Sequence, residues 1–160
     1  MTESAYLAAL RDRVVVFDGA MGTSVQRYDL DAEAFGGCMG CNDYLPMTRP
    51  EIIEDIHASF MEVGCDVLET DTFGGNRLKL DEYGLGARTH EINFGAAQLA
   101  RRVADRYSTP DHPRFVAGSM GPTGMLPSTD DPTLGRLGFD DLAEIFGEQA
   151  KPLVRAAATC

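Results

Sequence analysis

Basic residues are scarce in this chain: 14 Lys and Arg stand against 25 Asp and Glu over 160 residues, for a formal net charge of −11. A nucleic-acid backbone would be repelled, and no basic face exists for an anionic membrane, so neither is an expected partner. Long apolar runs are missing too. No stretch approaches the roughly 20 residues needed to span a bilayer, and the opening Met-Thr-Glu-Ser-Ala carries acid where a signal peptide would carry base. The expected location is the cytoplasm. Cysteine is sparse as well: Cys38, Cys41, Cys65 and Cys160 are expected as thiols in a reducing compartment. Cys38 and Cys41 form a C-x-x-C pair that fits half a zinc site or a redox dithiol. A structural zinc takes four ligands, however, and there is no second close pair. A redox pair should follow a strand and open a helix, whereas this one lies in a glycine-rich loop. Two loop cysteines beside a sharp turn is the favoured reading, and a local zinc site would show itself as about one equivalent of tightly bound metal.

What is present is an alternation. Strand-like runs occur at Val14 to Phe17, at Asp66 to Glu69 with flanking Cys65 and Thr70, and at Arg114 to Gly118. Segments with helical period lie between them, which predicts a parallel α/β fold. A helix is predicted over 48–64, with Thr48 and Glu51 as a capping box, Pro50 in the first turn, and Ile52, Ile53, Ile56, Phe60 and Val63 on one face; Gly64 ends it. A second runs from Thr89 to Tyr107 through Ile92, Ala96, Leu99 and Val103, with Arg101, Arg102 and Arg106 near its C-terminus. A third starts near Asp140 and passes through Leu142, Ile145, Phe146, Leu153 and Val154, with a kink expected at Pro152. Asn76 to Tyr83 reads as a short extra helix broken by Gly84 and Gly86. The segments 18–47 and 118–137 read as long ligand-binding loops.

The strand ends hold the chemistry. Asp18-Gly19-Ala20-Met21-Gly22-Thr23 comes directly after the first apolar run, so a buried strand would deliver a carboxylate into a turn of small residues that a ligand can approach closely. Two readings stay open: a ligand site at the carboxyl ends of parallel strands, and a tight turn in which Asp18 only caps the next segment. The second strand end, Glu69-Thr70-Asp71-Thr72-Phe73-Gly74-Gly75-Asn76, packs carboxylates, hydroxyls and an amide into one turn. Alternation would place Glu69 and Asp71 on one face and Thr70 and Thr72 on the other. Here too mutual satisfaction and capping compete with ligand binding. The third end, Ala117-Gly118-Ser119-Met120-Gly121-Pro122-Thr123-Gly124, is built alike.

Taken in order, Asp18 to Thr23, Gly40-Cys41-Asn42-Asp43-Tyr44-Leu45, Glu69 to Asn76 with Leu80 to Leu85, and Gly118 to Gly124 resemble the homocysteine-binding domain of the homocysteine S-methyltransferases, above all that of the cobalamin-dependent methionine synthases. The resemblance implies a methyltransferase of methionine biosynthesis, built on a (β/α)8 TIM barrel of about 250 residues. About three βα units of that barrel would be present, so residues 1–160 would be its N-terminal part, truncated before the zinc-ligand strands. In this family three cysteine thiolates hold zinc, which binds the homocysteine sulfur and removes the proton from a thiol of ordinary pKa about 8.5. Those cysteines lie on later strands and are expected beyond Cys160, with no metal ligand and no catalytic residue within this segment. Carried over, Asp18 would bind the substrate ammonium, the amides of Gly19, Ala20 and Met21 would lie near its carboxylate, and Thr70, Asp71, Thr72 and Ser119 would line the mouth. The family more often has Asn where this chain has Asp71. Cobalamin would belong to other domains, and the implied partners are homocysteine, the remaining barrel strands, and folate and cobalamin domains. Two alternatives stand beside a methylcobalamin and methyltetrahydrofolate donor: a betaine-homocysteine or other homocysteine S-methyltransferase, and a non-catalytic α/β small-molecule-binding module. The isolated 160 residues are expected to be poorly soluble or to self-associate, since open strand edges and an apolar lining would be left exposed.

Overall fold

A computed structural model describes residues 4–126 and 137–157. Helix α1 (Ala5–Asp12) is capped by Ser4, whose Oγ accepts from the Leu7 amide at 3.3 Å. It is not expected from the sequence, and it buries none of its residues fully. Tyr6 meets Phe115 edge-on at 5.3 Å between ring centroids, so α1 touches the start of a strand rather than the core. Next come α2 (Met21–Val25), α3 (Leu45–Thr48), α4 (Pro50–Glu62), β1 (Val67–Glu69), α5 (Arg77–Asp81), α6 (Thr89–Tyr107), β2 (Phe115–Ala117) and α7 (Phe139–Ala157).

β1 and β2 pair in parallel with Val67 opposite Phe115 and Glu69 opposite Ala117. On the other side of β1, Phe17 forms an isolated parallel bridge to Val67. Asp66 and Val67 donate their amides to Val16 O at 2.8 and 3.1 Å, and the Asp18 amide donates to Val67 O at 3.0 Å. The three predicted runs therefore lie side by side in chain order, with β1 in the middle. The first departs from expectation in one respect. Rather than a buried strand it is an exposed extended segment, Val14 being 83% accessible, because β1 pairs with it on one side and no described element covers its other side.

The core lies between the strands and the helices behind them. Ile52, Ile53 and Ile56 of α4 meet Leu68 of β1 and Leu99 and Val103 of α6, and α6 packs most extensively on α7. α6 has the predicted bounds, and Ile92, Ala96, Leu99 and Val103 are all buried. Two details of α4 differ. Thr48 closes α3, its hydroxyl donating to Tyr44 O at 3.3 Å, and Glu51 pairs with Arg49, so there is no capping box. Val63 comes after the last helical turn and is 81% exposed; Gly64, at φ +103°, ends the helix as expected. α5 is shorter than predicted and is capped by Asn76, which accepts from the Lys79 amide. α7 continues through Pro152 to Ala157, with Leu142, Ile145 and Leu153 buried and Val154 exposed. The segment 18–47, expected as loop, holds α2, α3 and single 3-10 turns. Part of the third loop, 127–136, lies outside the described residues, as does Cys160.

Candidate functional site

The three parallel segments end on the same side, and the loops that leave them enclose a cleft of about 630 Å³. Asp18, Gly19, Ala20, Met21, Thr70, Asp71 and Ser119 line it together. Thr72 does not. It is fully buried beneath the cleft, and its role is to tie the second and third ends together. The Ser119 amide donates to Thr70 Oγ1 at 2.9 Å, the Thr70 and Thr72 hydroxyls are 2.6 Å apart, and Thr72 Oγ1 donates to Ser119 O at 2.8 Å. With the Thr70 hydroxyl donating to Thr72, every donor in this small ring is used and each hydroxyl also accepts. The expected alternation of faces consequently stops at Glu69, since Thr72 N turns back to Thr70 O at 2.9 Å.

Asp18 is joined to the second strand end directly. Its Oδ1 accepts from the Glu69 amide at 3.1 Å, and its side chain is only 3% exposed. Behind it stands His57 of α4, fully buried, with Nδ1 3.8 Å from Asp18 Oδ2. The Ser119 hydroxyl donates to Glu69 Oε2 at 3.3 Å. A fourth element completes the wall and is not singled out as a site by the sequence: Gly40, Asn42 and Asp43, reached through the positive-φ turn at Gly40. Asp43 Oδ1 accepts from the Gly74 amide at 2.7 Å, locking this loop to the second strand end. Its signal is present in the Gly-Cys-Asn-Asp segment, but spacing alone does not say that the loop folds back over the strand ends.

The lining is one-sided in charge. Asp18, Asp43, Glu69 and Asp71 contribute carboxylates, and no Lys, Arg or His is among the described residues that line the cleft. Burial raises Asp43, while hydrogen bonds from backbone amides, Gly74 among them, oppose the rise. Asp71 is pushed well above the ordinary carboxylate value by burial and then by the neighbouring Asp43 charge. Such a cleft favours a small ligand that brings a positive group. Cys41 lies below this wall among Leu80, Leu85 and Ile92, its thiol pushed up to about 12 by burial and by Asp43. Cys38 donates weakly to Tyr83 O at 3.8 Å. The Cys41 thiol is not set up as a thiolate ligand or nucleophile, and among the described residues no group of three or more His, Cys, Asp or Glu could hold a metal ion.

Fold and cleft together define an α/β protein with an acidic cleft at the carboxyl ends of its parallel strands. Residues 15–160 match the sequence model of a family described as homocysteine S-methyltransferase, and the chain belongs to that family of methyltransferases. It is 40% identical over 152 residues to methionine synthase from Mycobacterium leprae (strain TN) and, over the same length, to methionine synthase from Mycobacterium tuberculosis (strain ATCC 25618 / H37Rv). Each match takes in 95% of this chain and 12% of the relative, so the chain spans 12% of the length of these proteins. Among solved structures it is similar to the homocysteine methyltransferase MmuM from Escherichia coli. The metallated form gives a TM-score of 0.71 at 18% identity, over 94% of this chain and 54% of that one. The oxidized form gives 0.74 at 18% identity, over 97% and 55%. At this identity the likeness establishes a shared α/β fold. No described helix is long and apolar enough to cross a membrane.

Proposed function

We propose that residues 1–160 are the homocysteine-binding part of a zinc-dependent methyltransferase that makes methionine from homocysteine, with methylcobalamin, recharged from methyltetrahydrofolate, as the methyl source. One observation carries this beyond family membership: the acidic cleft at the strand ends is lined by all but one of the residues expected to grip an amino acid, Thr72 excepted, and by no basic side chain among the described residues. In it Asp18 receives the substrate ammonium. The amides of Gly19, Ala20 and Met21, two small residues and the first residue of α2, lie near the substrate carboxylate. Thr70 and Ser119, fixed by the hydroxyl ring, hold the two strand ends at a set separation.

The residues present do not fit a zinc site. Cys41 is buried with its thiol held protonated, and no cluster of metal-ligating side chains exists among the described residues. By the family resemblance the zinc cysteines are expected beyond Cys160, and the part proposed for these residues is to bind and orient. The same holds for the closed (β/α)8 barrel, of which three adjacent parallel segments would be the first, and for the folate and cobalamin domains proposed as partners. Full-length protein supplied in turn with methylcobalamin, betaine and an S-methylated sulfonium is expected to form methionine from homocysteine with methylcobalamin alone. Methionine from either other donor would replace the donor assignment. Methionine from none of them, with no homocysteine bound, would overturn the function.

A further inference from the structure

One polar atom in the cleft has no partner. Asp71 is 7% exposed, lines the cleft, and its Oδ2 is buried without a hydrogen bond. An unsatisfied buried carboxyl oxygen is costly in a folded protein and points to a group that arrives with the ligand. The groups around Asp71 do not supply that partner. Asp43 stands on the adjoining loop as a like charge, and the Cys41 thiol, a weak donor, makes no hydrogen bond to Oδ2. Asp18 and Glu69 share the cleft as further carboxylates. The ammonium of Lys79 on α5 lines a separate small cavity, of which Asp43 is also a wall, and is paired with Glu82 at 2.8 Å. A neutral side chain would not leave this imbalance. With Asn at this position the amide would donate, and the cleft would lose one acceptor for a cation.

We infer that Asp71 is a second carboxylate receiving the ligand's ammonium, in the same cleft as Asp18, and that it gives up a proton to solvent when the ligand binds. The inference rests on the amino-acid-binding reading of the cleft and adds to it a specificity residue and a pH dependence. In the empty cleft burial and Asp43 both favour the protonated form of the Asp71 carboxyl. An ammonium placed at Oδ2 reverses that balance. The O–H proton leaves for bulk water, the carboxylate pairs with the ammonium, and the ammonium keeps its own protons. The carboxylate and ammonium then form a neutral pair, which removes the penalty of burying an unpaired cation.

Homocysteine is a poor probe, since a zinc-bound thiol also releases a proton on binding. L-methionine carries the same ammonium and carboxylate with no ionisable thiol. Titrating it calorimetrically into the full-length protein, in two buffers of different ionisation enthalpy, is expected to show release of about one proton per methionine near neutral pH. Affinity should rise with pH, by up to about tenfold per unit while the release is complete. In Asp71→Asn the release should vanish, the pH dependence should flatten, and binding should weaken roughly tenfold to a hundredfold. Should that variant fail to fold, the pH dependence and proton count of the parent protein decide alone. Methionine bound with no proton released and no pH dependence, or bound equally by a folded Asp71→Asn, would overturn the inference and leave the proposed function standing. No amino acid bound at all would overturn both.

Discussion

At Asp71 a carboxyl group is held in a place where its ionised form is disfavoured, and this has a consequence for the unliganded protein. An acid whose value is raised on folding binds more protons native than unfolded, so the protein loses stability as pH rises above the ordinary carboxylate range. Asp71→Asn removes that loss. The variant is expected to melt higher than the parent near pH 7.5, by about 1 to 3 kcal/mol of stability, and to match it near pH 4. Thermal melts at the two values check it, and an equal shift at both would show that ionisation is not involved. Gly74 is tested differently. A Cβ there would stand 2.8 Å from Asp43 Oδ2, a contact the carboxylate can relieve only by giving up its bond from the Gly74 amide. Gly74→Ala should therefore destabilise by about 1 to 3 kcal/mol in chemical denaturation, with amino-acid binding weakened alongside.

At the scale of elements, the strands are pinned from the end opposite the cleft. Asp66, buried at the start of β1, accepts from the Val16 amide at 2.8 Å and meets Arg13 and His112 at 2.7 Å each. The Arg13 guanidinium holds its carboxyl well below the ordinary range against the cost of burial. A depressed acid stabilises the fold above its unfolded value, and that stability is lost as pH falls below about 4. Asp66→Asn is expected to melt several degrees lower at neutral pH and to lose part of the parent's acid sensitivity below about pH 4. A variant as stable as the parent at both ends would make the cluster incidental.

Which elements are legible in the sequence depends on where their signals lie. α6 can be read to its ends because its apolar face is periodic over the whole length and buried against both α4 and α7. The start of α4 is misleading because Thr48 spends its hydroxyl on the preceding turn, a choice set by the backbone of α3 and not by the spacing of Thr and Glu. α1 has no buried stripe, so periodicity has nothing to report. Composition groups Thr72 with the cleft residues, whereas the turn after Glu69 takes it under the surface. Asp43 escapes notice for the opposite reason: it reaches the site only through a long-range fold of its loop onto Gly74.

For the whole molecule, apolar side chains remain on both flanks of the sheet. Val14, Val16 and Phe17 are exposed along one side, and Met120 and Val154 beside β2 on the other. These are the surfaces that further strands and helices of the proposed barrel would cover. Expressed alone, the 160-residue chain is expected to elute from size exclusion as oligomers or aggregate; a monomer that melts cooperatively would contradict the partial-barrel architecture. The most direct test concerns the cleft itself. Calorimetric titration of the full-length protein with homocysteine, parent against Asp18→Asn, keeps an oxygen to accept from the Glu69 amide and removes only the charge. Binding weakened tenfold or more, roughly the value of a charge-assisted contact to an ammonium, is the predicted result, and equal affinity in the two proteins would contradict a strand-end mouth that holds the amino acid by its ammonium.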